Sequence, residues 1–237
     1  MEPMAAFRVF LPSVLVVLTF TGLAFSECDK AKQQQALAAL ALRSQIELDR
    51  NGIPSWIRGQ VGPRDDEDPV QAAITTLESI QDVFCASNAD GFAFTGRMEK
   101  EDKLGETHIR VRQTYRGIDV EGPELIVHMS RREVTAINGH FLPGINVPSR
   151  PVISYQEASL IALKHVADIR GPGGAVQKEG TLVVFVDQGD RAYLAYPIRT
   201  RYKIIEGNPY HVGWHLDDIF VDAIAGVVVG SDPKIQH

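Results

Sequence analysis

Seven histidines and two cysteines are the residues of this 237-residue chain best equipped for chemistry. His211 and His215 stand four apart, the spacing that sets two imidazoles on one helix face to hold zinc. The glutamate that would serve as base is missing, Gly213 lies between the two, and the segment reads as strand. Along a strand, four residues separate the rings by roughly 13 Å, too far for one ion. The sequence contains no His-Glu-x-x-His, no Gly-x-Ser-x-Gly elbow, no P-loop and no dinucleotide fingerprint. We therefore assign no catalytic residue, metal ligand or cofactor. His108, Arg110 and Arg112 alternate with Ile109, Val111, Gln113 and Tyr115, which puts the three polar residues on one face of a half-buried strand. His128 and His140 read as ordinary sheet residues. Cys28 and Cys85 either pair in an oxidising compartment or stay apart, one in a frayed N-terminus and the other a buried thiol at a helix end. No basic or His-rich surroundings mark Cys85 as a nucleophile.

The elements that must position these residues begin after an address label. Arg8 precedes an apolar run from Val9 to Phe25, and Ala24-Phe25-Ser26 offers small residues at the -3 and -1 positions. That predicts a signal peptide over 1–26. The run is broken by Pro12 and Gly22 and falls short of the roughly 20 residues a spanning helix needs, so no membrane span is expected after cleavage. The exported protein is predicted to be secreted or periplasmic. A net charge of -6 argues against nucleic acid, which demands a basic footprint.

Residues 27–64 are expected to form an N-terminal helix, Asp29 to Asp49, followed by an irregular arm from Gly52 to Pro63. The acidic run Asp65 to Asp68 suits the N-terminus of a second helix that opens at Pro69. Val70, Ala73, Ile74, Leu77, Ile80 and Phe84 make its apolar face. The period then changes to two, predicting strands at 92–94, 107–116, 125–129 and 134–138. A linker with Pro148 and Pro151 leads to a capping box, Ser154-Tyr-Gln-Glu157, and a helix to about Asp168. Strands are predicted at 181–187, 192–200, 212–223 and 227–229. The order helix, then meander, occurs twice, which is α+β.

The stretch from Gly105 through Arg110-Val-Arg-Gln-Thr-Tyr-Arg-Gly117 to Gly122 and His128 resembles the FTP module, the pro-region that precedes thermolysin- and fungalysin-type secreted metalloproteases. Val134 to Gly139, Phe141 to Gly144, Pro151 to Ser154, Leu194-Ala-Tyr196 and Phe220-Val-Asp-Ala223 with Gly226 resemble the PepSY module that follows it. The resemblance implies two consecutive cystatin-like modules, FTP at 65–147 and PepSY at 148–230, with a C-terminal tail at 231–237. Pro197, the long spacer after Trp214 and Ala225 depart from the pattern, and Pro197 predicts an edge or bulged strand. With the His-Glu-x-x-His motif missing no enzyme is expected, and the resemblance implies a binding protein, an inhibitor or folding chaperone of a secreted zinc metalloprotease or other extracytoplasmic protein. His108, Arg110 and Arg112 on the strand face, and Asp232, Lys234 and Ile235 in the tail, are then the candidate partner contacts. A truncated protease pro-region and an envelope ligand-binding module unrelated to proteolysis remain as alternatives.

Overall fold

The computed structural model describes residues 28–64, 68–99, 102–103, 105–178, 180–205 and 212–234. The expected signal peptide, the acids at 65–67, His211 and Ile235 lie outside them.

Helix α1 (Lys30–Ala41) starts at Asp29, whose carboxylate accepts from the Lys32 N–H. It ends well before Asp49. Ser44–Leu48 is instead strand β1, and the expected arm is strand β2 (Pro54–Pro63). Helix propensity is a weak prior, and here pairing overrides it: Ser44 to Glu47 register against Gly59 to Trp56. Asp49 folds the connection by accepting from the Asn51 and Ile53 amides at 2.8 and 2.9 Å. Ile57 and Val61 of β2 point into the core.

Helix α2 (Pro69–Ser79) is capped by Asp68 and buries Ala72, Ala73, Thr76 and Leu77. A 3-10 turn (Gln81–Phe84) follows, then β3 (Asp90–Glu99), β4 (Thr107–Tyr115), β5 (Ile118–Met129) and β6 (Glu133–Gly139). Every second residue of β4 is buried, from Thr107 to Tyr115, so His108, Arg110 and Arg112 face away from α2. Arg116 and Gly117, with φ of 51° and 77°, make the two-residue turn between β4 and β5. Sheet order runs β1-β2-β6-β5, with β4 and β3 beyond β5. Cys28 and Cys85 are joined, with 5.0 Å between their Cα atoms, fastening the start of α1 to the end of the 3-10 turn.

The second unit holds α3 (Tyr155–Arg170), β7 (Ala175–Lys178), β8 (Val183–Val186), β9 (Ala192–Ile205), β10 (Val212–Asp222) and β11 (Val228–Lys234). The Ser154–Glu157 capping box forms in both directions. Ala158, Ala162 and Val166 of α3 pack on Ile198, Tyr202, Ile219 and Val221. Pro197 marks neither an edge nor a bulge of the strand. β9 is central, pairing with β10 along its length, and Pro197 falls between Ala195 of β9, where pairing with β8 ends, and Arg199 of β9, where pairing with β7 begins. A residue without an amide donor is tolerated at such a gap.

The two antiparallel sheets are not separate. Gly122, with φ of 108°, sits in a register shift of β5, and Val120 and Glu121 pair there in parallel with Val184 and Phe185 of β8. Three helices and one large mixed sheet of eleven strands result among the described residues. Tyr115, Val120, Leu142, Ile145, Val147 and Val184 form a small core at the joint. Gln113, 2% exposed, pins the crossing loop by donating to the Leu142 carbonyl at 2.8 Å and accepting from its amide at 3.0 Å.

Candidate partner-binding face

Helices cover one face of each sheet, and the helix-free faces converge. On the first sheet the strand period brings out His108, Arg110, Arg112, Ile126 and His128. On the second it brings out Pro197, Arg199, Arg201, Asp218 and Phe220, opposite in register to the residues under α3. Where the faces meet lies a cavity of about 660 Å³, walled by Arg97, Arg112, Glu121, Arg199, Asp218 and Lys234 and floored by Val183, Pro197 and Phe220. Arg112 and Lys234, 122 residues apart by their numbers, reach the same space.

Most charges in the cavity are committed. Arg112 donates to Asp119 at 2.6 Å. Arg199 grips Asp218 with two bonds, 2.7 and 2.8 Å. Lys234 lies 3.4 Å from Asp218 and is also bonded to Asp232. Burial works against the Asp218 charge, but Arg199 and Lys234 outweigh it and hold the carboxyl below the usual range. Glu121 has the reverse balance. It keeps contact with solvent, yet partial desolvation among the cavity walls pushes its carboxyl up, and the attraction of Lys234 and Arg112 does not cancel this. Among the described residues neither the Glu121 carboxylate nor the Arg97 guanidinium has a hydrogen bond or ion pair. Two opposite charges thus stand available in one concave space.

A second cavity of about 490 Å³ adjoins the first at Arg97, bounded by Met98, Glu99, His108, Arg110, Ile126 and His128. Arg110 lies 3.7 Å from Glu124. His108 and His128 are cross-strand partners with Nδ1 atoms 2.7 Å apart. The outer ring nitrogens reach Asp102 at 3.1 Å and Asn138 at 2.5 Å. At the far end of the face Trp214 is exposed, with Arg201 4.0 Å and Lys203 4.8 Å from its ring centre, an arrangement of cation–π type.

The structure therefore gathers His108, Arg110, Arg112, Asp232 and Lys234 on or beside one face. His215 is elsewhere, stacked on Tyr202. No group of three or more metal-ligating side chains occurs among the described residues. Sequence reading missed Arg97, Glu121, Arg199, Asp218 and the role of His128. The alternation of β9 and β10 could have placed Arg199 and Asp218 outward, whereas Glu121 and His128 depend on the shift in β5.

The class to which this face points is given by the segment that builds it. Residues 94–141, from late β3 through β6, match the Fungalysin/Thermolysin Propeptide Motif. The chain is 33% identical over 110 residues to thermolysin of Alicyclobacillus acidocaldarius subsp. acidocaldarius, covering 44% of this chain and 20% of that protein. It is 28% identical over 109 residues to bacillolysin of Bacillus caldolyticus, again over 20% of that protein. The chain thus spans about a fifth of the length of these relatives, and the similarity falls in the propeptide region of thermolysin rather than its catalytic domain. Among solved structures, the Bacillus megaterium YpeB C-terminal domain aligns over 89% of this chain and 99% of its own, at 13% identity and a TM-score of 0.37, too loose to build on. Among the described residues no helix is long and apolar enough to cross a membrane.

Proposed function

We propose that this chain is an exported, propeptide-like protein that binds the folded or folding catalytic domain of a thermolysin-like metalloprotease, acting as its inhibitor or folding chaperone. One observation carries the reading: the propeptide motif at 94–141 coincides with the strands that present the helix-free face. A concave surface of fixed strands, with paired charges at the rim and apolar residues on the floor, suits recognition of a native-like protein surface. Binding the native-like state lowers its free energy relative to competing states, so one interaction serves inhibition and assisted folding alike. The second unit, like PepSY in sequence, completes the cavity with Arg199, Asp218 and Lys234. A pro-region of a longer precursor would use the same face in the same way, and the one-fifth coverage of the relatives favours keeping that reading beside the first. Mixing the purified chain with thermolysin tests both. Inhibition, or a raised yield of refolded enzyme, is expected at micromolar concentration; neither effect at that concentration would overturn the proposal.

A further inference from the structure

The His108–His128 contact poses a question of protons. A carboxylate can only accept, so the Asp102 bond requires a proton on the His108 Nε2. With Asn138 presenting its Oδ1, the bond at the other end requires a proton on the His128 Nε2. Both imidazoles then carry their single neutral-form proton on the outer nitrogen, and two Nδ1 lone pairs confront each other at 2.7 Å. One added proton between them completes all three hydrogen bonds. Two added protons set N–H against N–H and break the central bond. With no added proton, the chain of bonds survives only if His128 changes tautomer and the Asn138 amide rotates to donate.

We propose that His108 and His128 form a one-proton clasp that makes the docking face responsive to pH, an inference that rests on the function proposed above for its consequence but not for its chemistry. Acquisition of a second proton opens the clasp. His108 is tied to the turn between β3 and β4 through Asp102, which also accepts from the Glu106 amide at 3.0 Å with its side chain and from the Gly105 amide at 3.0 Å with its carbonyl. The His128 side is tied to β6 through Asn138. Opening therefore loosens the wall of the second cavity, not a remote loop. The charged groups facing the pair are Asp102 from the turn, Glu99 and Arg97 from β3, and Arg110 from β4. Glu124 of β5 neutralises Arg110, Glu106 bonds Thr135 of β6, and Arg58 of β2 lies one strand beyond. Trp56, with its ring centre 6.0 Å from that of His128, limits where a displaced imidazole can go.

The test has two arms on the full chain. In the first, ring-nitrogen NMR and amide exchange are followed from pH 8 to pH 5 without any partner. The expected result is a state with one proton shared between the two Nδ1 atoms. Entry of the second proton should lower the protection of the Gly105 and Glu106 amides, measured against intrinsic exchange at the same pH, at least tenfold. Absence of a shared proton at every pH, or double protonation that leaves the protection of those amides unchanged, overturns the clasp. In the second arm, binding to thermolysin is compared at the two pH values for the wild type and His128→Gln in identical buffers, which removes the enzyme's own pH dependence. The affinity ratio between pH values should be at least tenfold larger for the wild type than for the variant. Equal ratios overturn the regulation, whereas no binding at either pH, with the first arm positive, overturns the proposed function and leaves the clasp standing.

Discussion

At the scale of single residues, the joint cavity holds two carboxylates driven in opposite directions by their surroundings, which is how neighbouring acids acquire different roles. Asp218 is held below the usual range despite burial, because Arg199 and Lys234 favour its charge. Its folded state binds the proton more weakly than the unfolded chain does. The stability it contributes is full above the ordinary carboxylate range and is lost as pH falls through the depressed value. Asp218→Asn should accordingly cost about 2 kcal/mol at pH 7, the scale of hydrogen bonds to a charged group, and progressively less in acid. Glu121 behaves inversely. Desolvation raises it, so the folded state binds the proton more tightly, and stability present below the ordinary range is lost as pH climbs to the raised value. Glu121→Gln should raise the melting temperature at pH 7 and leave it unchanged at pH 3. Thermal unfolding of the two variants at both pH values checks the pair of signs. A carboxylate kept in solution contact, without an ion pair among the described residues and costly to the fold at neutral pH, is a natural contact for a basic side chain of a partner.

At the scale of elements, the residue-level geometry depends on a few backbone devices. Gly122 has a φ that side-chain-bearing residues rarely adopt, and it sits where β5 is handed from one sheet to the other. Gly122→Ala should cost about 1–3 kcal/mol and loosen β8, seen as faster amide exchange at Val184 and Phe185. Removing the Cys28–Cys85 link with Cys28→Ser should cost about 2–4 kcal/mol, since a bridge over a separation of 57 residues restrains the unfolded chain strongly. Denaturant unfolding of the variant measures it. Much of this level was legible beforehand: alternation in β4 gave its two faces, and Ser154-x-x-Glu157 gave the start of α3. Other parts were not, for physical reasons. Ser44–Leu48 has no strong preference of its own and becomes strand only because β2 is there to pair with it. A plain continuation of the Tyr115–Ile118 pairing would set His108 opposite Leu125. The extra residues of β5 around Gly122 set it opposite His128 instead, and no local pattern announces that shift. Pro197 suggested an edge or a bulge because the gap between β7 and β8 exists only in the assembled sheet.

At the scale of the whole molecule, two helix-covered units share one sheet, and their uncovered faces meet in a saddle. The parallel β5–β8 pair is short, two residue pairs long, so the joint relies as much on the small core around Tyr115, Leu142 and Val184 as on backbone bonds. The first unit brings the clasp and the arginines of β4, and the second brings Arg199, Asp218 and Lys234. Neither builds the larger cavity alone. The propeptide motif lies in the first unit, and that division explains why residues 94–141 match it while the cavity extends well beyond them. Reversing charge on the first unit (Arg112→Glu) or the second (Arg199→Glu) should each weaken binding of a protease partner at least tenfold, while a reversal on the helix-covered side, such as Lys164→Glu on α3, should not. The central claim is tested most directly by titrating the wild-type chain against thermolysin and reading peptidase activity together with the yield of enzyme refolded from denaturant. Loss of activity or gain in yield at micromolar chain, abolished by Arg112→Glu and kept by Lys164→Glu, is the predicted result; an enzyme indifferent to the chain in both readings would contradict it.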